Sequence, residues 1–281
     1  MRHKPYYSVR TGKNPLAAKF DLATLRDLFR TLFVHFEDEG YFQEALGYEC
    51  VDAGFVPGAL GHDLAGTLLL ELRKKDLTPI RSKIESYTEE DLFDMIEFLY
   101  EHCSKPKDGH FHSYSSCGWH YNTFEKEPGR LEYREKMNKI LALYQSGYEL
   151  SSEGEILALA DGGLEGLFEA PVPGADPENV AARVEAARTK FRRYRSSMDE
   201  RRDAIRDLAD VLEYLRPRLK TALASKDEAD LFNIANNFGI RHHNDAQKTQ
   251  YDKAIWYSWM FYYYLATIHA AVRLIEKSGS K

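Results

Sequence analysis

The chain has 281 residues, of which 43% are hydrophobic and 29% are charged, and its formal net charge is −6. This length allows one large domain or two ordinary ones, and the composition excludes both a disulfide-stapled miniprotein and a wholly disordered chain. The mild acidic balance argues against a protein coated in basic charge for non-specific nucleic-acid binding, although a local basic patch remains compatible with it.

The cysteine count and the apolar segments predict a compartment. Cys50, Cys103 and Cys117 are odd in number and share no metal-finger spacing, which favours a reducing environment. Residues 1–20 contain no apolar run of the kind that a secretory signal needs. Residues 254–275 form an apolar stretch that is long enough to span a bilayer. Its polar aromatic side chains and Arg273 nevertheless favour a buried helix. We therefore expect a soluble, cytoplasmic protein without a membrane partner.

Helix signals come first along the chain. Asp21 precedes leucine and phenylalanine residues spaced three and four apart, which predicts a capped amphipathic helix over about 22–37. A second helix is expected over 64–75. Thr88, followed by three acidic residues, resembles a capping box and predicts a helix that ends near residue 103.

A change of composition follows. Residues 104–129 are rich in Lys, Pro, Gly, His and aromatic residues, which predicts a long irregular segment and a first candidate site. A helix is expected over 131–145, and residues 148–156 predict a small β-hairpin around a glycine-containing turn. Three prolines and one glycine in 169–177 mark a domain boundary.

The region after this boundary has the pattern of a four-helix bundle. Its helices are expected over about 177–198, 199–224, 228–238 and 251–277. The predicted fold class is therefore mainly α: a mostly helical N-terminal domain with a small β-hairpin over 1–170, followed by a helical bundle over 177–281.

The bundle begins with a basic segment. Residues 181–220 hold twelve basic and seven acidic residues, a net charge of +5, and the densest point contains Arg192, Arg193 and Arg195 around Tyr194. Arginine beside tyrosine suits phosphate and base contacts in RNA. A solvated helix face with intrahelical ion pairs explains the same charges, and both interpretations stay open.

A second polar cluster surrounds Arg241. On a helix, Asn237 and Arg241 lie on one face, and Gly239 predicts a helix end that leaves the following residues at a bend. A guanidinium beside the imidazoles of His242 and His243 has the chemistry for phosphodiester cleavage without a metal. The alternative is that these side chains only satisfy backbone groups at the turn.

A third cluster carries possible zinc ligands: His110, His112, Cys117 and His120. Their spacing fits no established pattern and the other cysteines are remote in sequence, so we predict no metal and no cofactor. A metal-dependent hydrolase centred on His110, His112 and His120 remains an alternative. Cys50 is flanked by carboxylates that would raise the pKa of a thiol, so a reactive nucleophile is not expected there.

The run Gly239, Ile240, Arg241, His242 before a final apolar helix resembles the C-terminal domain of AbiJ-type abortive-infection proteins, members of the HEPN superfamily. The N-terminal half is also similar to the domain that accompanies them. The segments that carry this similarity are residues 92–99, residues 132–141 with Asn138, and residues 147–150 followed by 154–156.

The resemblance implies an all-α bundle that often dimerises and, in active members, cuts RNA without a metal. Those members use an arginine and a histidine with about four to six residues between them. Here residues 246–248 are Ala, Gln and Lys, and only the adjacent His242 and His243 are present.

Together with the residues around Arg241, this resemblance implies a metal-independent ribonuclease of prokaryotic anti-phage defence, which is the function we predict. Arg241 would stabilise the phosphate and His242 or His243 would act as acid or base, while Arg192, Arg193, Arg195 and Asn237 would bind RNA. We also predict a homodimer through the helix over 251–277. The alternative is a non-catalytic sensor or regulatory module that binds RNA or a partner protein of a defence system.

Overall fold

The computed structural model describes residues 6–13, 19–160, 163–172, 174, 176–220 and 252–279. The chain divides into two compact units, Met1–Leu157 and Ala158–Lys281. It is mainly helical with small antiparallel strand pairs, which confirms the prediction of a mainly α fold. The division lies before the predicted boundary at 169–177, because Phe168 belongs to the hydrophobic core of the second unit.

Helices form most of the first unit. Their bounds are α1 Tyr7–Arg10, α2 Leu22–Asp38, α3 Gln43–Leu46, α4 Leu64–Glu71, α5 Ile80–Lys83, α6 Glu89–Glu101 and α7 Lys126–Leu141. The carboxylate of Asp21 accepts the backbone N–H of Thr24 at 2.9 Å and starts α2. Thr88 and Asp91 form the reciprocal capping box that starts α6. Both predicted helix starts are confirmed.

Aromatic side chains fill the core of this unit. Phe29, Phe33 and Phe36 are buried on α2, and Tyr133 is fully buried on α7, which packs against both α2 and α6. The Tyr133 hydroxyl donates to the backbone carbonyl of Ile96 at 3.2 Å, so its one polar group is satisfied. Each such phenylalanine stabilises the unit by about 1.5–3 kcal/mol relative to an exposed side chain.

Short strands pair beside the helices. Their bounds are β1 Tyr48–Cys50, β2 Gly54–Val56, β3 Lys105–Pro106, β4 Gly109–His112, β5 Gly118–Tyr121, β6 Phe124–Glu125, β7 Tyr148–Leu150 and β8 Ile156–Ala158. The pairs are β1 with β2, β3 with β6, β4 with β5, and β7 with β8. The predicted hairpin at 148–156 is confirmed.

The prediction of an irregular segment over 104–129 is wrong in part. Histidines alternate with aromatic residues in β4 and β5, and this alternation allows the two strands to pair in antiparallel register. The predicted helix over 131–145 begins earlier, at Lys126, and ends at Leu141. The α7 helix therefore follows β6 directly.

The second unit also consists of helices. Their bounds are α8 Glu165–Glu169, a π-helical turn over Pro177–Ala181, α9 Ala182–Arg192, α10 Met198–Leu219 and α11 Lys253–Gly279. The predicted helix over 177–198 is interrupted after Arg192, because Ser197 and Glu200 form a capping box that starts a new helix. The predicted helix over 228–238 lies outside the described residues.

The core of the second unit is built mainly by α9, α10 and α11. The helix α11 contributes the buried side chains of Met260, Phe261, Leu265 and Ile268 to this core. This agrees with the buried helix expected for residues 254–275. No helix among the described residues is long and apolar enough to cross a membrane.

Candidate metal centre

Four side chains that can ligate a metal meet in the first unit. They are Cys50, His112, Cys117 and His120, and their ligand atoms all lie within 4.8 Å of one another. The Cys50 Sγ is 3.8 Å from the His112 Nδ1, and the Cys117 Sγ is 3.2 Å from the His120 Nε2. Two thiols and two imidazoles thus surround one point.

The hairpin of β1 and β2 brings Cys50 to this point. Gly47 precedes β1 with φ +82°, and a Cβ at this position would lie 2.1 Å from the carbonyl oxygen of Val56. Only glycine therefore allows the chain to enter β1 so close to β2. The register then pairs Cys50 with Gly54 at the end of the hairpin.

The hairpin of β4 and β5 supplies the other ligands: His112 and His120 come from one face of its strands, and Cys117 comes from the connection between them. Side chains alternate along a strand, and the register pairs His110 with His120 and Phe111 with Trp119. Histidines therefore share one face. The aromatic side chains share the opposite face, where Phe111 is 58% and Trp119 is 49% exposed.

The neighbouring elements hold β5 in place. The side-chain amide of Gln43 in α3 accepts the backbone N–H of Tyr121 at 3.1 Å and donates to the carbonyl of Trp119 at 2.9 Å. The Tyr48 ring of β1 stacks on the His120 ring at 4.3 Å between centroids. Contacts on both sides of His120 thus fix the distance between the hairpins.

Asp52 orients one of the imidazoles. Its carboxylate lies 3.2 Å from the Nε2 of His112, while the Nδ1 of the same ring faces Cys50. A carboxylate on Nε2 keeps the proton there and leaves the Nδ1 lone pair free, which is how proteins orient metal-ligating histidines. The side chain of Asp52 is 65% exposed and that of His112 is 23% exposed.

The environment of His120 favours its neutral form. Its side chain is buried, and burial, together with nearby His110 and His112, lowers its pKa from the usual value of 6.5. A neutral imidazole has the lone pair that a metal ion requires.

The donor set has the chemistry of a zinc centre. Zinc prefers tetrahedral sulfur and nitrogen ligands, with Zn–S bonds of about 2.3 Å and Zn–N bonds of about 2.0–2.1 Å. Tetrahedral geometry then separates neighbouring donors by roughly 3.3–3.8 Å, close to the two separations measured here. Four protein ligands complete this coordination and leave no position for the water of a hydrolase.

The structure changes the sequence-based interpretation of this cluster. It brings His112, Cys117 and His120 together as considered, but His110 is not in the ligand group, and Cys50 takes the fourth position. The expectation of no metal depended on the separation of Cys50 from the histidines along the chain, since Cys50 is 62 residues from His112. No local spacing signals a ligand so far away.

Carboxylates pair with five of the twelve basic residues in the basic segment of the second unit. These five are Arg188, Lys190, Arg202, Arg206 and Arg216.

The arginines predicted to bind RNA lie in different environments. Arg192 is buried and donates its Nε–H to the carbonyl of Ala158, while Arg193 and Arg195 are exposed. The Arg195 guanidinium lies 5.2 Å from the centre of the Tyr194 ring.

The predicted catalytic residues Arg241, His242 and His243, and the predicted RNA contact Asn237, lie outside the described residues. Comparisons of the chain with protein-family models, with curated proteins and with solved structures find no match.

Proposed function

We propose that the first unit is a zinc-binding module whose Cys2His2 centre joins the β1–β2 hairpin to the β4–β5 hairpin. The observation that carries the proposal is the convergence of Cys50, His112, Cys117 and His120 within 4.8 Å. Asp52 supports it, because a carboxylate on the outer nitrogen of a ligating histidine is a common companion of zinc.

The role that fits this centre is structural. Each hairpin has strands of only three or four residues, and a two-stranded hairpin of this size is marginally stable by itself. A metal that joins Cys50 to His112 closes a long loop, and such closure removes conformational entropy from the unfolded chain. Metal binding would therefore contribute to the folding free energy of the unit.

Elemental analysis of the purified full-length protein tests the proposal. We expect about one zinc ion per chain and a lower melting temperature after chelation. The variants Cys50→Ala and Cys117→Ala should lose zinc. His110→Ala is the matched control, because His110 is on the same hairpin face as His120 but not in the ligand group.

Two outcomes would contradict the zinc centre. One is a wild-type protein that stays free of zinc after anaerobic reconstitution with zinc salt. The other is equal zinc loss in His110→Ala and Cys117→Ala, which would show that the cluster does not ligate the ion as the geometry requires.

RNA cleavage by the second unit stays a prediction. It depends on Arg241, His242 and His243 and on the resemblance to AbiJ-type proteins. The homodimer also stays a prediction; the exposed Ile255, Trp256 and Trp259 at the start of α11 support it, because large apolar side chains favour a partner surface.

A further inference from the structure

Two of the three cysteines lie together in the metal centre and reach solvent. Cys50 and Cys117 are partly exposed, whereas Cys103 is buried. The sulfur atoms of Cys50 and Cys117 lie within 4.8 Å of each other, although the two residues belong to different hairpins. These two thiols are therefore accessible to a small solute and close enough to react with each other.

A bound zinc ion changes the chemical state of both thiols, so their reactivity rests on the function proposed above. A thiol that ligates zinc is deprotonated outright, and the thiolate rather than the thiol is the nucleophile. The carboxylates of Glu49 and Asp52 argue against a thiolate at Cys50 only while the thiol is free. The two positive charges of Zn²⁺ outweigh that effect at the sulfur itself.

The backbone beside each cysteine leaves room for the two sulfur atoms to meet. Because a disulfide has an S–S length of about 2.0 Å, these atoms must approach by at most about 2.8 Å. Cys117 follows an exposed connection over residues 113–116, and Gly118 comes after it with φ +98°. Gly54 pairs with Cys50 in the first hairpin. Beyond the adjacent residues, no described atom lies within 4 Å of the position that a Cβ on Gly54 or Gly118 would occupy.

The sulfur of Cys117 already lies beside β1. Its Sγ is 3.7 Å from the backbone carbonyl oxygen of Glu49, the residue before Cys50. A bond between Cys50 and Cys117 would therefore link the same two hairpins that zinc joins. Only His112 and His120 would then remain of the ligand group, and two imidazoles do not complete the four-ligand set of a structural zinc ion. Disulfide formation would release the metal and keep the hairpins connected.

Cys103 provides an internal comparison within the same unit. Its side chain is buried, and its thiol donates to the carbonyl oxygen of Gly129 at 3.6 Å. Burial raises the pKa of this thiol, which keeps it protonated at neutral pH. A buried and protonated thiol is unreactive, so an oxidant should distinguish Cys103 from the two cysteines of the metal centre.

We propose that Cys50 and Cys117 are a peroxide-reactive pair, which hydrogen peroxide converts from zinc ligands into a disulfide. One thiolate attacks an oxygen atom of the peroxide, breaks the O–O bond, becomes a sulfenic acid and releases hydroxide. The other thiolate attacks this sulfur, forms the S–S bond and releases a second hydroxide. The two sulfur atoms together lose two electrons, the peroxide gains them, and Zn²⁺ leaves with its charge unchanged.

Hydrogen peroxide added to the reduced, zinc-loaded full-length protein tests the proposal. A chromogenic chelator follows zinc release, and mass spectrometry after alkylation in denaturant identifies the state of each cysteine. We expect release of about one zinc ion per chain, a disulfide between Cys50 and Cys117, and Cys103 still present as a thiol. The same protein without peroxide should keep its zinc over the same period. Reduction with dithiothreitol, followed by zinc salt, should restore the bound metal.

The matched control is Cys103→Ala, which removes the third thiol and leaves both sulfur atoms of the pair. It should release zinc and form the same disulfide as the wild type. Where Cys103→Ala melts well below the wild type, the alkylation state of Cys103 in the wild-type protein gives the same comparison. The oxidised, zinc-free protein should also melt at a higher temperature than the reduced, zinc-free protein, because the disulfide closes a long loop.

The possible failures of this proposal and of the zinc centre are distinguishable. A reduced protein that binds no zinc contradicts the zinc centre, and the peroxide-reactive pair falls with it. A zinc-loaded protein that keeps its metal in excess peroxide overturns the reactive pair alone. Zinc release with sulfinic or sulfonic acid at Cys50 or Cys117 and no disulfide, or a disulfide that includes Cys103, also overturns the pair and leaves the zinc centre in place.

Discussion

The substitution Asp52→Asn tests whether the carboxylate beside His112 belongs to a metal centre. It keeps the size of the side chain and removes the charge that lies 3.2 Å from the His112 Nε2. Loss of such a partner weakens metal binding by roughly 10- to 100-fold. Because the Asp52 side chain is 65% exposed, water replaces part of the lost contact. We therefore expect a loss at the lower end of this range, about tenfold in zinc affinity or roughly 1.4 kcal/mol of binding free energy.

The assay is competition for zinc against a chromogenic chelator at neutral pH. Glu49→Gln is the matched control, because it removes one negative charge from the same hairpin at an exposed position outside the ligand group. Its zinc affinity should stay within about twofold of the wild type, since exposed charges are screened. Equal losses in both variants, or no loss in Asp52→Asn, would refute the role assigned to Asp52.

Three other predictions concern the rest of the chain. Thr88→Ala should lower the stability of the first unit by about 1 kcal/mol through loss of the helix cap, seen as a shift of about 2–4 °C in thermal melting; an unchanged melting temperature would contradict it. Burial, with nearby arginines, lowers the pKa of His269 in the folded protein below 6.5, so the unfolded chain binds a proton more readily than the folded one. The stability of the protein should therefore fall as the pH drops below 6.5 and then level off. In melting curves measured across this pH range, His269→Leu should flatten that slope. Arg241→Ala should reduce RNA cleavage or growth toxicity by about 10²-fold or more with little change in melting, and His242→Ala and His243→Ala should be unequal; normal cleavage by all three variants would leave the partner-binding alternative.

Local signals in the sequence were enough to predict much of the helical framework. The caps at Asp21 and Thr88 each need only hydrogen bonds to residues within the first turn, so the helix starts could be identified from neighbouring residues. The hairpin over 148–156 depends on a short turn and was also predicted. The interruption after Arg192 was missed, although Ser197 and Glu200 carry the same kind of local signal.

The candidate sites depend on contacts between residues that are distant along the chain. Cys50 and His112 become neighbours only when Gly47 lets the first hairpin close and Gln43 holds the second hairpin beside it. In the same way, charge alone suggests a surface role for Arg192, but the side chain is buried, where it contacts the Phe168 ring and donates to the carbonyl of Ala158. Capping and turn formation involve residues a few positions apart, whereas these sites require long-range packing, and the sequence contains no spacing rule for it.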